Sequence, residues 1–581
     1  MINSKIIKIF SEISEYYAMD DVPFKPQAYE KAVRVIESME EDLEVIYKAG
    51  GQKALTDMPG IGRGMAEKIE EFIKTGRVKE HERLKKKCPV DLEHLTAVEG
   101  LGPKMIKTLY QRLHVKTLAD LEKAAKAGKI EKLPRFGSKV QENILRGIKF
   151  VKGGQGRILL GHALPLVRKI EKRLAELKET EKVVVAGSIR RMKETIGDLD
   201  ILAISSEPKR VMDFFCAMPE VEKILAQGET RSSVHLHNGL AADLRVVSQE
   251  SFGSALQYFT GNKDHNIRTR KIAQGKNLKL NEYGVWRGKK QIAGRTEEEV
   301  YQAIGLPYFE PEIREDRGEI EAALRQAQGK PSGLPKLVKY EDLKGDLQMH
   351  STWSDGAYTI KEMAEAAKKL GRQYIAITDH GSAKLRIANA LDEKRFLKQW
   401  QEIDKVNKSL SGIKILKGVE VDIDDKGRPD GLSDAFLVKF DIVLASVHFK
   451  MRMPKAEMTE RIINAMKNPH LDIIAHPTGR KIQSREEMAL DMEKIMAGAK
   501  ETGAILEINA YPERLDLNDE NIRKAVAAGV KMSVGTDAHS IEHLHYLELG
   551  VAQARRGWAE RKDIINTMSY PELIKFLKNQ G

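Results

Sequence analysis

Histidines and acids in the second half of the chain follow short β-rich segments. The positions are His350, Asp355, His380, Glu420, His448, His476, Asp537 and His539. Imidazoles mixed with carboxylates suit Zn²⁺, Mn²⁺ or Fe²⁺. Several such ions held together would generate hydroxide at neutral pH and bind a phosphodiester. The pattern therefore predicts a multi-metal hydrolytic site. His470, His543 and His545 fit no motif, and we expect them at the surface or in packing.

Aspartates nearer the middle of the chain could share divalent cations. Asp198 and Asp200 alternate with apolar residues in a predicted strand, so both point to one face. Asp243 begins a later strand, and the carboxylates converge if the two strands are neighbours. Such a cluster is costly unless cations neutralise it. Paired Mg²⁺ or Mn²⁺ ions there would activate an attacking hydroxyl and stabilise a leaving pyrophosphate.

A Gly-Ser pair ahead of these aspartates could bind phosphate. Gly187 and Ser188 end a β-rich run, and Arg191 follows shortly after. The pair would hold a triphosphate through backbone N–H groups and a hydroxyl, and Arg191 would add charge. Together with the aspartates, this segment predicts a site that acts on a nucleoside triphosphate.

Glycine turns recur before helix-like runs in the N-terminal part, in segments 58–64, 98–104 and, more loosely, 133–139. Glycine allows a tight turn with positive φ and a close approach to a ligand. The N–H groups at the start of the next helix favour a phosphate, so these turns would bind DNA without reading its sequence. The residues predicted to contact DNA here are Gly60, Gly62, Gly64, Gly100, Gly102 and Lys104.

The distribution of charge along the chain supports DNA binding by its N-terminal part. The chain has 97 Lys and Arg and 85 Asp and Glu, a net charge of +12. Residues 1–340 hold 60 basic and 48 acidic residues, whereas 341–581 hold 37 of each. We therefore expect a polyanion-binding surface in the first part. The two cysteines, Cys88 and Cys216, exclude a disulfide scaffold, and the N-terminus lacks a secretory pattern, so we expect a cytoplasmic protein.

Several domains must position these residues, because a chain of 581 residues is too long for one ordinary hydrophobic core. Residues 1–150 have helical periodicity, 155–317 mix helices with short strands, and 318–340 begin helix-like before turning into a Gly- and Pro-rich linker. From 341 onward strands alternate with helices, which favours a barrel over the competing open doubly wound sheet. The candidate strands are 346–349, 373–378, 413–421, 440–446, 471–475, 504–508 and 531–536.

Residues 1–317 resemble family X DNA polymerases, the DNA polymerase beta group. The resemblance rests on the glycine turns, which are similar to helix-hairpin-helix motifs, and on the order of Gly-Ser, Asp-x-Asp and later Asp. It implies a nucleotidyltransferase palm in which Asp198, Asp200 and Asp243 are catalytic. It also implies further nucleotide contacts from Arg157, Tyr258, Phe259, Gly261, Asn266 and Arg270. Ala241 and Lys263 depart from the animal enzymes, which have an arginine and an acid there.

The first helical segment resembles the lyase domain of the same family. Lys68 matches its nucleophilic lysine, and Lys25, Tyr29 and Glu67 match supporting or DNA-binding residues. A neutral lysine amine can form a Schiff base with an abasic sugar. The resemblance thus implies 5′-deoxyribose-phosphate or AP lyase activity, although Phe24 replaces the family's histidine.

Residues 341–581 resemble the PHP (polymerase and histidinol phosphatase) domain. The resemblance implies a distorted (β/α)₇ barrel with a trinuclear cluster of Mn²⁺ and/or Zn²⁺, held by the histidines and acids named first. Gln348 stands where the family has a histidine, which weakens the expected site at one metal.

The expected architecture is therefore multidomain. We predict a helical lyase-like domain (1–88), a DNA-binding helical subdomain (89–154), an α+β palm (155–255), a nucleotide-selecting closing subdomain (256–317), a linker (318–340) and the PHP barrel (341–581). The resemblance implies a monomeric repair polymerase that adds dNTPs in gapped or primed DNA, with a metal-dependent 3′–5′ exonuclease and no membrane association.

Other classes of function remain open on the sequence. Gln348 favours a DNA-binding repair polymerase whose barrel is structural. A phosphoesterase of small substrates would use the barrel but not the glycine turns. Nucleotidyl transfer to a small molecule likewise leaves those turns without a role.

Overall fold

The computed structural model describes residues 2–37, 39, 41–58, 60–96, 98, 101–134, 136–154, 156–327, 333–381 and 389–578. Gly100, predicted to bind DNA, lies outside them. Among these residues, none of the helices is both long and apolar enough to cross a membrane.

The N-terminal helical region consists of short helices around one apolar core. Local signals set the helix ends: α4 and α7 both begin after glycine, and a Thr117–Asp120 capping box starts α8. Its helices are α1 (Ile2–Met19), α2 (Lys25–Glu37), α3 (Leu43–Thr56), α4 (Arg63–Thr75), α5 (Lys79–Lys87), α6 (Leu92–Thr96), α7 (Pro103–Leu113), α8 (Leu118–Lys126) and α9 (Ser138–Gly154).

A five-stranded sheet, here called the central sheet, follows in the order β2-β4-β7-β6-β5. Strands β4 and β7 are parallel neighbours, whereas the other pairs are antiparallel. The elements are β1 (Ile158–Leu159), α10 (Leu160–Ala175), β2 (Thr180–Val185), α11 (Gly187–Arg190), β3 (Thr195–Ile196), β4 (Asp198–Ser205), α12 (Pro208–Cys216), β5 (Val221–Gln227), β6 (Arg231–Leu236), β7 (Ala241–Val246) and α13 (Phe252–Thr260). The predicted β-rich run before Gly187, the predicted strand with Asp198 and Asp200, and the later strand with Asp243 correspond to β2, β4 and β7.

A smaller antiparallel sheet comes next, in the order β10-β9-β8. The segment predicted as a linker starts as α16, whose Ile320 and Ala323 are buried in this small core. The elements are α14 (Lys263–Gly275), β8 (Lys279–Asn281), β9 (Gly284–Arg287), β10 (Lys290–Ala293), α15 (Glu297–Ala303), a 3₁₀ helix (Pro311–Ile313) and α16 (Glu319–Ala327).

The C-terminal part is a nearly closed parallel barrel rather than an open sheet. Its path is β11-β12-β14-β15-β16-β17-β18, and β13 pairs with β14. A bridge between Met349 and Ala538 joins the first and last segments. All seven predicted strands are present, although β11 and β16 shorten to two residues each. The strands are β11 (Gly345–Asp346), β12 (Tyr374–Ile377), β13 (His380–Gly381), β14 (Lys414–Asp422), β15 (Ile442–Ser446), β16 (Ile473–Ile474), β17 (Ile505–Asn509) and β18 (Met532–Gly535).

Helices surround this barrel, and both helices and loops make its contacts with the rest of the chain. They are α17 (Ile360–Lys369), α18 (Glu393–Ser409), α19 (Asp434–Leu437), α20 (Lys455–Met466), α21 (Met492–Thr502), α22 (Asp519–Ala528), α23 (Leu547–Arg556) and α24 (Tyr570–Lys578). Leu515 and Leu549 of the barrel are buried in the core of the central sheet. Arg168 of α10 also forms a two-bond ion pair with Glu548 of α23, at 2.9 and 2.6 Å. The barrel and the central sheet are therefore packed against each other.

Candidate active sites

The parallel pairing of β4 and β7 brings the aspartates of the central sheet together. Asp200 and Asp243 are direct partners across the two strands, and Asp198 lies two residues earlier on the same face as Asp200. Neighbouring strands are roughly 5 Å apart, so the three carboxylates lie at adjoining positions on one face. The predicted adjacency of the two strands is therefore present, although within the described residues these aspartates do not form a group whose ligand atoms all lie within 4.8 Å of one another.

The charge around these aspartates fits a cation site. Burial, together with the neighbouring carboxylates of Asp198 and Asp243, raises the pKa of Asp200 to about 6. Divalent cations would relieve that repulsion. Arg231 on β6, which the sequence analysis did not single out, donates to Asp243 Oδ2 at 3.0 Å, and Arg245 lies 3.5 Å from the same atom. Arg231 thus gives Asp243 a cationic neighbour, which the animal enzymes have from an arginine at the position of Ala241.

The predicted phosphate-binding segment lies beside the aspartates. Gly187 has a φ of +67°, and a Cβ atom there would lie 3.0 Å from Asp200 Oδ2. The buried Ser188 hydroxyl has no hydrogen-bond partner within the described residues. Arg191 donates to the Thr260 carbonyl and to Glu315. Arg157 reaches the same edge, where its Nε donates to Thr195 Oγ1 at 2.9 Å.

The other predicted nucleotide residues lie on α13 and α14. The rings of Tyr258 and Phe259 meet edge to face at 5.1 Å, and the guanidinium of Arg270 is 6.0 Å from the Tyr258 ring centre. Gly261 follows α13, and a Cβ atom on it would lie 3.2 Å from Arg191. Asn266 is already engaged inside the protein: it donates to the Tyr258 carbonyl and accepts from Gln257, both at 2.7 Å. A contact between Asn266 and a base therefore requires exchange of these bonds.

The barrel brings all eight predicted metal-binding residues together in overlapping groups. In each group, one ligand atom per residue lies within 4.8 Å of the others. The groups are His350, Asp355, His380 and His539; Glu420, His448 and His476; and His350, Glu420 and Asp537. His350 and Glu420 are each shared by two groups, which is the arrangement expected of a multi-metal centre.

The donor atoms of this cluster suit metal ions. The buried Nδ1 atoms of His350, His380 and His476 have no hydrogen-bond partner in the described part of the chain. Burial opposes ionisation of Glu420, but the surrounding imidazoles hold its pKa well below the usual value. Burial would lower the pKa of His350, but nearby carboxylates, Asp537 foremost, raise it to about 10. Metal binding at His350 would therefore release a proton.

Residues between the ligands support them. Gln348 is fully buried, and its Nε2 donates to Glu420 Oε2 at 3.2 Å, while its Oε1 accepts from Asn509 at 3.3 Å. Gln348 stands where the family has a histidine, and it hydrogen-bonds Glu420, a candidate metal ligand. Arg514, which the sequence analysis missed, lies 3.7 Å from Asp537 through Nε, and its buried Nη1 atom lacks a hydrogen-bond partner among the described residues. A cation at this rim suits an anionic phosphate. His543 is buried and accepts from the His539 backbone N–H, which is a packing role as expected.

The glycine turns share one geometry. The N–H groups of Ile61, Leu101 and Phe136 donate to the carbonyls of residues 58, 98 and 133 at 3.1, 3.0 and 3.0 Å. Gly60 has a φ of +86°, and Gly62 and Gly102 directly precede α4 and α7. Gly64 lies in the first turn of α4, and Lys104, in the first turn of α7, is 2.8 Å from Asp21. The helix starts at these turns could each receive a phosphate.

The predicted lyase lysine, Lys68 on α4, lies in a polar cluster with residues of α2 and α5. Lys68 Nζ is 2.9 Å from Glu80, which also accepts from Tyr29 at 2.9 Å and lies 3.6 Å from Lys25. Burial opposes ionisation of Glu80, but the bonds from Tyr17, Lys68 and Tyr29 lower its pKa to about 2. Glu67 instead pairs with Arg63 at 3.0 Å. Glu80, rather than Glu67, is thus the acid beside Lys68, and no local motif marks it.

Family models match most of this architecture. A helix-hairpin-helix domain model matches residues 1–78, and a SAM-like helix-hairpin-helix tandem model matches 92–149. A DNA polymerase beta thumb model matches 255–315, and a PHP domain model matches 346–510.

Similar curated proteins match the whole chain or one of its parts. The DNA polymerase/3′-5′ exonuclease PolX of Bacillus subtilis (strain 168) is 38% identical over 581 residues, which cover 99% of each chain. A probable phosphatase of Thermoanaerobacter sp. (strain X514) is 38% identical over 205 residues, 33% of this chain and 78% of its own. DNA polymerase lambda of Arabidopsis thaliana is 24% identical over 348 residues, 54% of this chain and 62% of its own.

Proposed function

The chain belongs to the family X DNA polymerases (PolX) that carry a C-terminal PHP domain, and from this premise we propose that it fills short gaps in DNA and trims 3′ ends. The observation that carries the proposal is the pairing of Asp200 with Asp243 beside the Gly187–Ser188 segment. A one-nucleotide-gapped, 5′-phosphorylated duplex, incubated with and without dNTPs and Mn²⁺, would report extension and trimming together.

In the synthesis site, each group has a separate task. Asp198, Asp200 and Asp243 would hold Mg²⁺ or Mn²⁺, which when bound supplies charge neutralisation at the transferred phosphoryl group. Asp243 would accept the proton of the primer 3′-OH, and Arg231 orients its carboxylate. Gly187, Ser188 and Arg191 would bind the triphosphate, with Arg157 at the edge. Tyr258 and Phe259 would pack against the sugar.

In the barrel, the histidines and acids would hold a cluster of Mn²⁺ and/or Zn²⁺, which when bound supplies a nucleophile and Lewis acidity for phosphodiester cleavage. Gln348 positions Glu420, and Arg514 would contact the scissile phosphate. A structural, inactive barrel is the competing reading. The imidazole nitrogens of the cluster that lack a hydrogen-bond partner among the described residues favour an active site. A small-molecule phosphoesterase is the other alternative, but it leaves the helix-hairpin-helix turns without a use.

Replacing Arg231 by Met is expected to lower primer extension about 10- to 100-fold, because Asp243 loses the donor that fixes its carboxylate. Single-turnover extension of a gapped duplex measures the effect. Arg210→Met, which removes an exposed arginine paired with Glu179 in the same domain, serves as the control. Equal rates for the two variants would show that Arg231 does not act through Asp243.

A lyase activity is the second candidate, and the cluster of Lys68, Glu80 and Tyr29 favours it. Lys68→Ala is expected to abolish the borohydride-trapped adduct with a 5′-deoxyribose-phosphate end, because the Schiff-base amine is lost. Lys74→Ala on the same helix, where Lys74 pairs with Glu70, should retain the adduct. Undiminished trapping by the Lys68→Ala variant would exclude this lysine as the nucleophile.

A monomer acting on gapped or primed DNA in the cytoplasm fits the proposed repair role. Cys88 and Cys216 are both free thiols, which agrees with a reducing compartment.

A further inference from the structure

The barrel inserts an arginine among the residues that hold Arg191. Arg556 is the last residue of α23, and its side chain is 1% exposed. Its Nη1 atom donates to the backbone carbonyl of Arg191 at 2.8 Å and to Glu315 Oε1 at 3.1 Å. One barrel residue therefore contacts both the backbone of Arg191 and the acid that binds its side chain.

Glu315 is shared among several cations. Arg191 Nε donates to the same Oε1 atom at 3.1 Å, and Lys193 lies 3.9 Å from it. The Oε2 atom accepts from Asn262 at 3.1 Å. In a buried site the attraction between opposite charges is weakly screened. Loss of one cation would therefore leave Glu315 to pull harder on Arg191.

Asp519 fixes the other side of Arg556. The Nη2 atom of Arg556 donates to Asp519 Oδ2 at 2.5 Å, and Arg317, two residues before α16, lies 3.4 Å from that oxygen. Asp519 begins α22, where the helix N-terminus stabilises a carboxylate. Arg556 is thus held between two acids, one in the barrel and one beside the small sheet.

Arg191 has little room to move without changing the nucleotide site. Its Nη1 atom donates to the Thr260 carbonyl, and its guanidinium lies against Gly261. A shift toward Glu315 would change its distance from both. The Arg191 side chain, which would bind the triphosphate, is therefore bonded both to Thr260 of α13 and to Glu315. Arg556 pairs with the same Glu315.

We propose that Arg556 is a positioning residue for nucleotide binding: it shares the charge of Glu315, so that Arg191 stays aimed at the triphosphate. The barrel thereby completes the polymerase site. This inference rests on the proposed function, because Arg191 matters only if a dNTP binds beside Gly187.

The test compares Arg556→Met with Arg555→Met in the full-length protein. Arg555 precedes Arg556 on α23 and also bridges to the 3₁₀ helix Pro311–Ile313 and its start, through Glu312 at 2.7 Å and Glu310 at 3.2 Å, but it bonds neither Arg191 nor Glu315. It therefore controls for a loosened junction between domains. The readouts are KM for dNTP, kcat, Kd for gapped DNA, 3′ trimming and Tm.

Arg556→Met is expected to raise KM for dNTP about tenfold with kcat within about twofold, whereas Arg555→Met should leave KM within about twofold. Arg556→Lys should give an intermediate KM, since one ammonium group cannot reach both acids and the carbonyl of Arg191. Gapped-DNA affinity and trimming should match between the Arg555→Met and Arg556→Met variants.

Equal KM values in the two Met variants, or a loss confined to kcat and Tm, would overturn the positioning role. If Arg556→Met does not fold, the same comparison between Arg556→Lys and Arg555→Lys decides it. Failure of the unmodified protein to extend a primer would contradict the proposed function itself, which is a different outcome.

Discussion

Replacing Asp243 by Asn is expected to abolish primer extension, by on the order of 10³- to 10⁴-fold, while 3′ trimming continues. The change removes a proposed cation ligand and the group that would accept the primer hydroxyl proton, yet keeps the side-chain volume. Asp243 is the strand partner of Asp200, so its loss would also disrupt the proposed paired cation site. Single-turnover extension of a gapped duplex, with trimming measured on a 3′-labelled strand, checks both effects.

Asp213→Asn is the matched control, because Asp213 lies on α12 of the same domain and binds Gln227, not the catalytic residues. It should extend at the unmodified rate. Extension by the Asp243→Asn variant within tenfold of this control would refute the assignment of the synthesis site to these aspartates.

Replacing Glu420 by Gln should remove 3′ trimming and spare extension. Glu420 belongs to two of the candidate metal groups, so one substitution weakens both. We expect the loss to exceed the roughly 10- to 100-fold typical of a residue that only supports a ligand. Metal content, measured by elemental analysis after dialysis against Mn²⁺ or Zn²⁺, should fall in parallel.

The exposed Glu457 on α20 provides the control for this change, since Glu457→Gln alters an equivalent charge away from the cluster. Its metal content and trimming rate should equal those of the unmodified protein. Full metal content in the Glu420→Gln variant, or an equal loss of extension, would contradict the division into two sites.

Residues at regular positions along strands could be predicted from the sequence, whereas individual contacts between residues far apart in the chain could not. The barrel ligands follow successive strands, and parallel strands end at one rim, so His350 and Asp537 are expected to meet although they are far apart in the chain. Asp198 and Asp200 are likewise placed by strand alternation. The sequence does not predict that β11 ends at Asp346. The residues after it join the last strand through the isolated bridge between Met349 and Ala538.

Charged residues outside a motif escaped prediction for a physical reason. Arg231 and Arg556 are two of 97 basic residues, and nothing local distinguishes them. Their roles depend on which strand lies beside β7 and on which barrel helix meets the segment that contains Glu312 and Glu315. Asn266, a predicted nucleotide contact, donates its amide to the Tyr258 carbonyl, a partner that no local motif indicates.

The shared core between the central sheet and the barrel constrains how a repair intermediate travels. Leu515 and Leu549 are at most 2% exposed, and pulling them apart would cost about 1.5–3 kcal/mol for each leucine returned to water. Any swing of the central sheet relative to the barrel that separated these leucines would carry this cost. Under the proposed function, a primer terminus that passes from one site to the other would then cross the junction as a single strand rather than be carried by a domain movement.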